Sequence, residues 1–294
     1  MIGDLAVITC HFNWCNFYTP TRNLHRFLRQ MSISNIPVYG VELSLTDEFE
    51  TKEMSNWKQI KVTKANVCFQ KEACVNLAVK SLPSHITKVA WIDHDFMFTN
   101  ANWYNQASET LDKYKVIQLF SEYVATDIFG RKIRSMISTA KSYAIHNKRS
   151  NARGCAWAAR RELWDNGGLY PFSFLGGGDS LFAHMIFGGM KDDKLYYVSG
   201  IHGNLKFEPF LNWKNSILTY VGAKDVFYIN GEIIHEWHGE HDGRKYATRY
   251  DIIKGMDLSK TVSLDHNELV KIDNISEQLR GNIMTYFKER NEDG

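Results

Sequence analysis

The chain has little net charge. Its basic residues outnumber its acidic ones by two in 294 residues, a balance that argues neither for nor against a nucleic-acid partner. Cysteine is sparse and scattered. Cys10, Cys15, Cys68, Cys74 and Cys155 are odd in number and no pair has CxxC spacing, which excludes a zinc knuckle or a disulfide framework. A reducing, cytoplasmic compartment is the expectation. No run reaches the roughly 18 apolar residues that a membrane span requires. The opening MIGDLAVITCHFNWCNFY has no basic n-region and carries Asp4, so it reads as a first strand and not as a signal peptide. Internal repeats and low-complexity linkers are also lacking.

What is present is an ordinary globular balance, 44% hydrophobic and 23% charged, at a length that fits one large domain or two small ones. Aromatics reach 13%, enough to fill a core and leave platforms for sugars or bases. LAVITCHF (5–12) is a short apolar run rich in β-formers and reads as a buried strand. Thr19-Pro20 then opens a helix, with Thr19 as N-cap, Pro20 at the first helical position, and Leu24, Phe27, Leu28 and Met31 at helical spacing. IPVYGVEL (36–43) and QIKVTK (59–64) follow as strands. A helix from Lys71 to Leu82 turns Ala73, Leu77 and Leu82 inward, and KVAWID (88–93) is the next strand. Strands alternating with helices predict an α/β fold with a mostly parallel central sheet, whose ligands bind beyond the carboxyl ends of the strands.

Asp93 and Asp95 stand at that end, separated by His94. Two carboxylates this close resist burial unless a cation visits them. Oxygens from alternate positions can hold a hard divalent ion, Mn²⁺ or Mg²⁺, with phosphates and water completing the shell. If the chain stays extended, Asp93 and Asp95 share one face and His94 points away. The bland alternative is a turn aspartate that caps a loop. Between Arg131 and Arg153 lie seven basic residues and no acidic one, bracketed by Gly130 and Gly154. They read either as a solvated face or as a mobile segment that closes on a phosphate-rich ligand. HEWHGEHDGRKYATRY (235–250) places three histidines in seven residues. His235 and His238 are three apart and Gly239 weakens a helix, so the four-residue spacing of a helical zinc-protease motif is not met. Arg244 and Arg249 offer guanidinium forks that match diphosphate oxygens.

The run KEACVNLAVKSL…KVAWIDHDFMF, with a first strand LAVITCHFN and Arg22 a few residues on, resembles the GT-A fold of nucleotide-sugar glycosyltransferases. The similarity is to the family-two-like and galactosyltransferase-like branch, which includes compact transferases of bacterial viruses, and it covers roughly residues 5 to 250. The resemblance implies a GT-A-like catalytic domain over 1–257 and a helical tail over 258–294 packed on it. It implies a nucleoside diphosphate sugar, most often a UDP-sugar, with base and ribose against Thr9, His11, Asn13 and Arg22, and the metal at Asp93 and Asp95. It places His238 in the metal shell, with His235 and His241 as alternatives. In GCAWAARRELWDNGGLYPFSFLGGGDSLFAH (154–184) it makes Asp179 the base that takes the acceptor proton, although Gly178 stands where the family carries a glutamate. Read from the residues alone, Asp179 is also a good helix N-cap, a role that can coexist with that of the base. The acceptor is a saccharide or a hydroxymethylated pyrimidine in DNA, the latter met by the Arg131–Arg153 stretch and host-cytoplasmic if the chain is viral. Alternatives are a non-catalytic nucleotide-sugar-binding protein and a metal-dependent phosphohydrolase or nuclease, which calls for more clustered ligands.

Overall fold

The structure is a computed structural model, and it describes residues 3–51, 57–188, 207–246 and 248–294. The apolar run at the start forms strand β1 (Leu5–Phe12) in the middle of the main sheet. Helix α1 (Tyr18–Ile33) returns over it, and β2 (Val38–Leu43) and β3 (Trp57–Val62) extend the sheet to one edge. Helix α2 (Lys71–Lys80) leads into β4 (Lys88–Ile92), which pairs with β1 in parallel. The short β5 (Phe96–Phe98) leaves this sheet, α3 (Trp103–Leu111) crosses back, and β6 (Val116–Gln118) rejoins it. A hairpin of β7 (Glu122–Thr126) and β8 (Lys132–Ile137) is followed by α4 (Thr139–His146), β9 (Ala156–Arg160), the single turn α5 (Glu162–Asp165) and α6 (Gly178–Phe187). Beyond them lie α7 (Glu208–Tyr220), β10 (Val226–Tyr228) and β11 (Glu232–His235). The tail carries α8 (Leu258–Thr261), the β12 (Val262–Leu264) and β13 (Val270–Ile272) hairpin, and α9 (Glu277–Glu289).

The main sheet has seven strands in the order β10-β6-β9-β4-β1-β2-β3, and β9 alone runs antiparallel to its neighbours. This is the expected α/β architecture with a mostly parallel sheet. Alternate residues of its strands feed opposite cores. Ala6 and Ile8 of β1, with Val89 and Trp91 of β4, join one core, while Leu5, Val7, Ala90 and Ile92 join the other. Both faces are therefore covered, which is why these strands read as continuous apolar runs. A second sheet, β5-β11-β7-β8, stands beside the carboxyl end of β4.

Two local expectations change. Helix α1 starts at Tyr18, with Phe17 at the N-cap, and Thr19 and Pro20 lie inside the first turn. The Asp293 carboxylate caps the helix instead, accepting from Tyr18 N at 2.9 Å and Thr19 N at 2.7 Å. The Arg131–Arg153 stretch is largely strand and helix, contributing β8 and α4, and part of its charge is used internally. Arg131 pairs with Asp127 at 2.7 Å and Lys141 with Glu122 at 3.2 Å.

Candidate active site

Strand β4 ends at Ile92 and the chain turns at once, so the geometry of an extended run no longer applies to the acidic pair. Asp93 N–H donates to the Cys155 carbonyl at 2.9 Å, which fixes it to the main sheet. Two residues later β5 pairs antiparallel with β11, and the Asp95 carbonyl accepts from Glu236 N at 2.8 Å. The two aspartates are thus handed to different sheets and different partners.

Asp95 faces two histidines. Its Oδ2 lies 2.6 Å from His238 Nε2 and 3.1 Å from His235 Nε2, and the two Nε2 atoms are 3.1 Å apart. Ligand atoms of all three residues fall within 4.8 Å of one another. The far side of each ring is held: Tyr123 OH sits 2.9 Å from His235 Nδ1, and Glu292 Oε1 lies 3.4 Å from His238 Nδ1. A carboxylate at Nδ1 orients an imidazole so that its Nε2 presents a lone pair, the usual support behind a metal-bound histidine. Arg244 Nη2 lies 2.7 Å from His238 Nε2. Burial opposes charge on Asp95, but His238 and His235 outweigh it and hold the carboxyl well below its ordinary range. Burial lowers His235, which favours the neutral, ligating form. Asp95 Oδ1 is buried with no hydrogen-bond partner, so the cluster has an unspent donor atom. Two imidazoles and a carboxylate with one unsatisfied oxygen are a fitting donor set for a divalent transition ion.

Asp93 belongs to a second cluster. Lys71, the first residue of α2, places its Nζ 2.7 Å from Asp93 Oδ1 and 2.7 Å from Asp179 Oδ2. Lys71 thus forms an ammonium bridge from Asp93 to Asp179. Burial works against the charge on Lys71, but Asp179, Asp93 and Glu72 together raise it well above its ordinary value. Burial, opposed by Lys71 and reinforced by Asp179 and Asp95, pushes Asp93 up to about 7. Asp179 lies in the first turn of α6 behind an N-cap of Gly177, and its carboxylate binds Lys71. It is therefore not the N-cap. Two glycines make room for this. A Cβ on Gly154 would stand 2.7 Å from Asp179 Oδ2, and one on Gly178 would overlap the Glu72 carboxyl. The glutamate expected beside Asp179 along the chain is absent, and the buried carboxyl of Glu72, from α2, fills that volume.

The end of β1 forms a third polar corner. Glu50 accepts from Asn13 Nδ2 at 3.1 Å and from Thr21 Oγ1, and lies 3.2 Å from His11 Nε2. Burial raises Glu50, but His11 leads a set of contacts that bring it below its ordinary value. Thr9 Oγ1 is buried without a partner. Arg22 turns toward Asn23 Oδ1 and the Trp237 carbonyl, linking this corner to the histidine segment. His94 lies between the clusters, its Nε2 3.4 Å from His11 Nδ1, and burial lowers it to about 3. Arg249 is buried, its guanidinium donating to Tyr250 OH and stacking over the Tyr246 and Tyr250 rings. His241 is exposed beside Asp242.

Sequence reasoning missed Lys71, Glu72 and Glu50, and set His235 below His238. A lysine and a glutamate opening a helix look like ordinary solvated charges. Only His235's position at the end of a short β-rich run, EIIH, two residues before the Trp237-His238 pair, carried a signal.

No family model matches the chain and no curated protein matches it. Among solved structures it is similar in outline to the catalytic domain of Drosophila beta1,4galactosyltransferase 7 in complex with xylobiose, at 11% identity over 95% of this chain and 98% of that one, TM-score 0.42. A mutant of that enzyme, in complex with manganese, UDP-Gal and xylobiose, aligns at 10% identity over 95% and 98%, TM-score 0.40. Glucosyl-3-phosphoglycerate synthase of M. tuberculosis aligns at 10% identity over 92% and 88%, TM-score 0.43. All three scores are below 0.5.

Proposed function

We propose that the protein is a metal-dependent glycosyltransferase that moves a hexose from a UDP-sugar to a saccharide hydroxyl. The observation that carries this reading is the adjacency of an Asp95–His235–His238 ligand set to a Lys71-bridged pair of aspartates, both at the carboxyl end of β4. Asp95, His235 and His238 would hold the ion. Two imidazoles favour Mn²⁺ over Mg²⁺, which prefers oxygen ligands. Bound there, the ion supplies Lewis-acid neutralisation of the leaving diphosphate.

The remaining roles belong to the chain. The corner of Thr9, His11, Asn13 and Glu50 offers acceptors and donors for a base and ribose, and Arg22 closes it on the side of Trp237. Arg244, beside His238, meets negative charge that develops on the departing phosphate. Lys71 pairs with Asp179 and holds its carboxylate in place, and Asp179 accepts the acceptor's proton as the new bond forms. Asp93 anchors Lys71 from the other side. A saccharide acceptor is favoured over hydroxymethylated DNA because Arg131 and Lys141 of the basic stretch already pair with Asp127 and Glu122.

The test is donor turnover. Incubated with UDP-glucose or UDP-galactose and Mn²⁺, the protein should release UDP slowly by donor hydrolysis and faster with a saccharide acceptor, and a chelator should stop both. Absence of Mn²⁺ binding and of UDP release would overturn the proposal. Phosphodiester cleavage without sugar transfer would replace it with a nuclease.

A further inference from the structure

The turn between β7 and β8 is closely bonded and yet holds apolar side chains in solvent. Asp127 N donates to the Arg131 carbonyl at 2.9 Å, and Gly130 N to the Asp127 carbonyl at 2.9 Å. The Asp127 carboxylate accepts from Phe129 N and Arg131 N at 2.9 Å each and from Arg131 Nε at 2.7 Å. Gly130 takes the φ of +76° that the reversal needs. Held at this tip, Phe129 is 78% exposed and Ile128 56%, and Ile133 on β8 is 65% exposed. The Arg131 guanidinium lies 5.0 Å from the Phe129 ring centre. Lys132 and Arg134 are exposed on the same strand and have no carboxylate partner among the described residues. From Asp127 to Arg134 there are three cations and one carboxylate, and that carboxylate is committed to Arg131.

A preformed tip with isoleucine, phenylalanine and unspent cations matches the boundary of an anionic leaflet, where apolar side chains enter between headgroups and basic ones meet lipid phosphates. A nucleic acid would ask for flat rings on which bases stack, and two of the three apolar side chains here are branched and aliphatic. The tip also has a fixed relation to the site. His235 pairs with Ala125 and Ala125 with Arg134, so one cross-strand row runs from the histidine cluster to β8. Ile128 follows Ala125 by three residues, a reach of about 10 Å along an extended chain.

We propose that the β7–β8 hairpin docks the protein on an anionic lipid surface and that the acceptor sugar is carried by a lipid in that surface. The second half rests on the transferase reading above, and the first half does not.

The experiment uses the full chain. Co-sedimentation with vesicles of phosphatidylcholine, and of phosphatidylcholine mixed with phosphatidylglycerol, should show binding to the mixed vesicles that salt weakens. Phe129→Asp should lower that partitioning by about tenfold or more, and the Lys132→Glu/Arg134→Glu double variant should remove the preference for the anionic mixture. Phe129→Asp should leave slow UDP release unchanged, which shows that the variant is folded. In a transfer assay, glycolipid presented in mixed vesicles should be a better acceptor for the parent than for Phe129→Asp. No binding to mixed vesicles, or equal binding by Phe129→Asp, overturns docking. So does a hairpin-dependent affinity for duplex DNA alone, or a dimer that Phe129→Asp dissociates. Docking without any UDP release removes the transferase reading and the lipid-borne acceptor and leaves docking standing.

Discussion

At the scale of single residues, the two aspartates of one short motif have separate tasks because the chain turns between them. Asp95 is paired with histidines and Asp93 with a lysine. Their substitutions should therefore differ in kind. Asp95→Ala should abolish Mn²⁺ binding in a titration and cost at least about tenfold more transfer rate than Asp179→Asn, which should keep the ion. His235→Ala should weaken Mn²⁺ binding as Asp95→Ala does, whereas His241→Ala should leave it unchanged. Glu72 gives a prediction of another kind. Burial first, and then the charge of Asp179, push its carboxyl from 4.5 up to about 8. Between those values the folded chain holds a proton that the unfolded chain has released, so stability falls as pH rises across this window. Glu72→Gln removes that penalty. In urea unfolding the variant should exceed the parent above pH 8 by an amount on the order of a few kcal/mol, and the difference should vanish below pH 4.5.

At the scale of elements, α1 and α2 owe their placement to residues far along the chain. Helix α1 begins without a side-chain cap of its own and is closed by Asp293. Asp293→Ala should cost about 0.5–2 kcal/mol in urea unfolding, the usual loss on removing a helix cap. Helix α2 is tied by Gln70 at its N-cap, whose amide exchanges two 2.8 Å hydrogen bonds with the Val270 backbone on β13. That tie holds Lys71 and Glu72 against the two aspartates. The strands β1 and β4 and the helix α2 were legible in the sequence because each carries a complete local signal, an apolar run or a helical period of suitable length. The cap of α1 was not, because Thr19-Pro20 is a good local start signal that a carboxylate 274 residues away displaces.

At the scale of the whole molecule, the tail is part of the site. Ile283, Tyr286 and Phe287 of α9 are buried in the larger core, and Phe69 packs on Phe287 with ring centres 5.2 Å apart. Glu292 reaches His238, and with Arg290 beside it its carboxyl stays well below its ordinary range despite burial. Truncation after Ile275 should therefore expose core apolar surface, lower the unfolding midpoint, and weaken Mn²⁺ binding in whatever fraction still folds. A tail that were only packed on a finished catalytic body would leave the metal affinity intact.

The sequence by itself determined the alternation of strands and helices, the buried first strand, and the arrival of acidic side chains at the end of β4, since these depend on periodicity and on neighbours a few residues apart. Only the tertiary structure decided which charges meet. The Lys71 bridge to Asp179, the joining of Asp95 with His235, and the Glu292 support of His238 each link residues brought together by sheet register and by the returning tail. No local pattern records such partners, because a charged side chain looks the same in sequence whether it is solvated or paired across the fold.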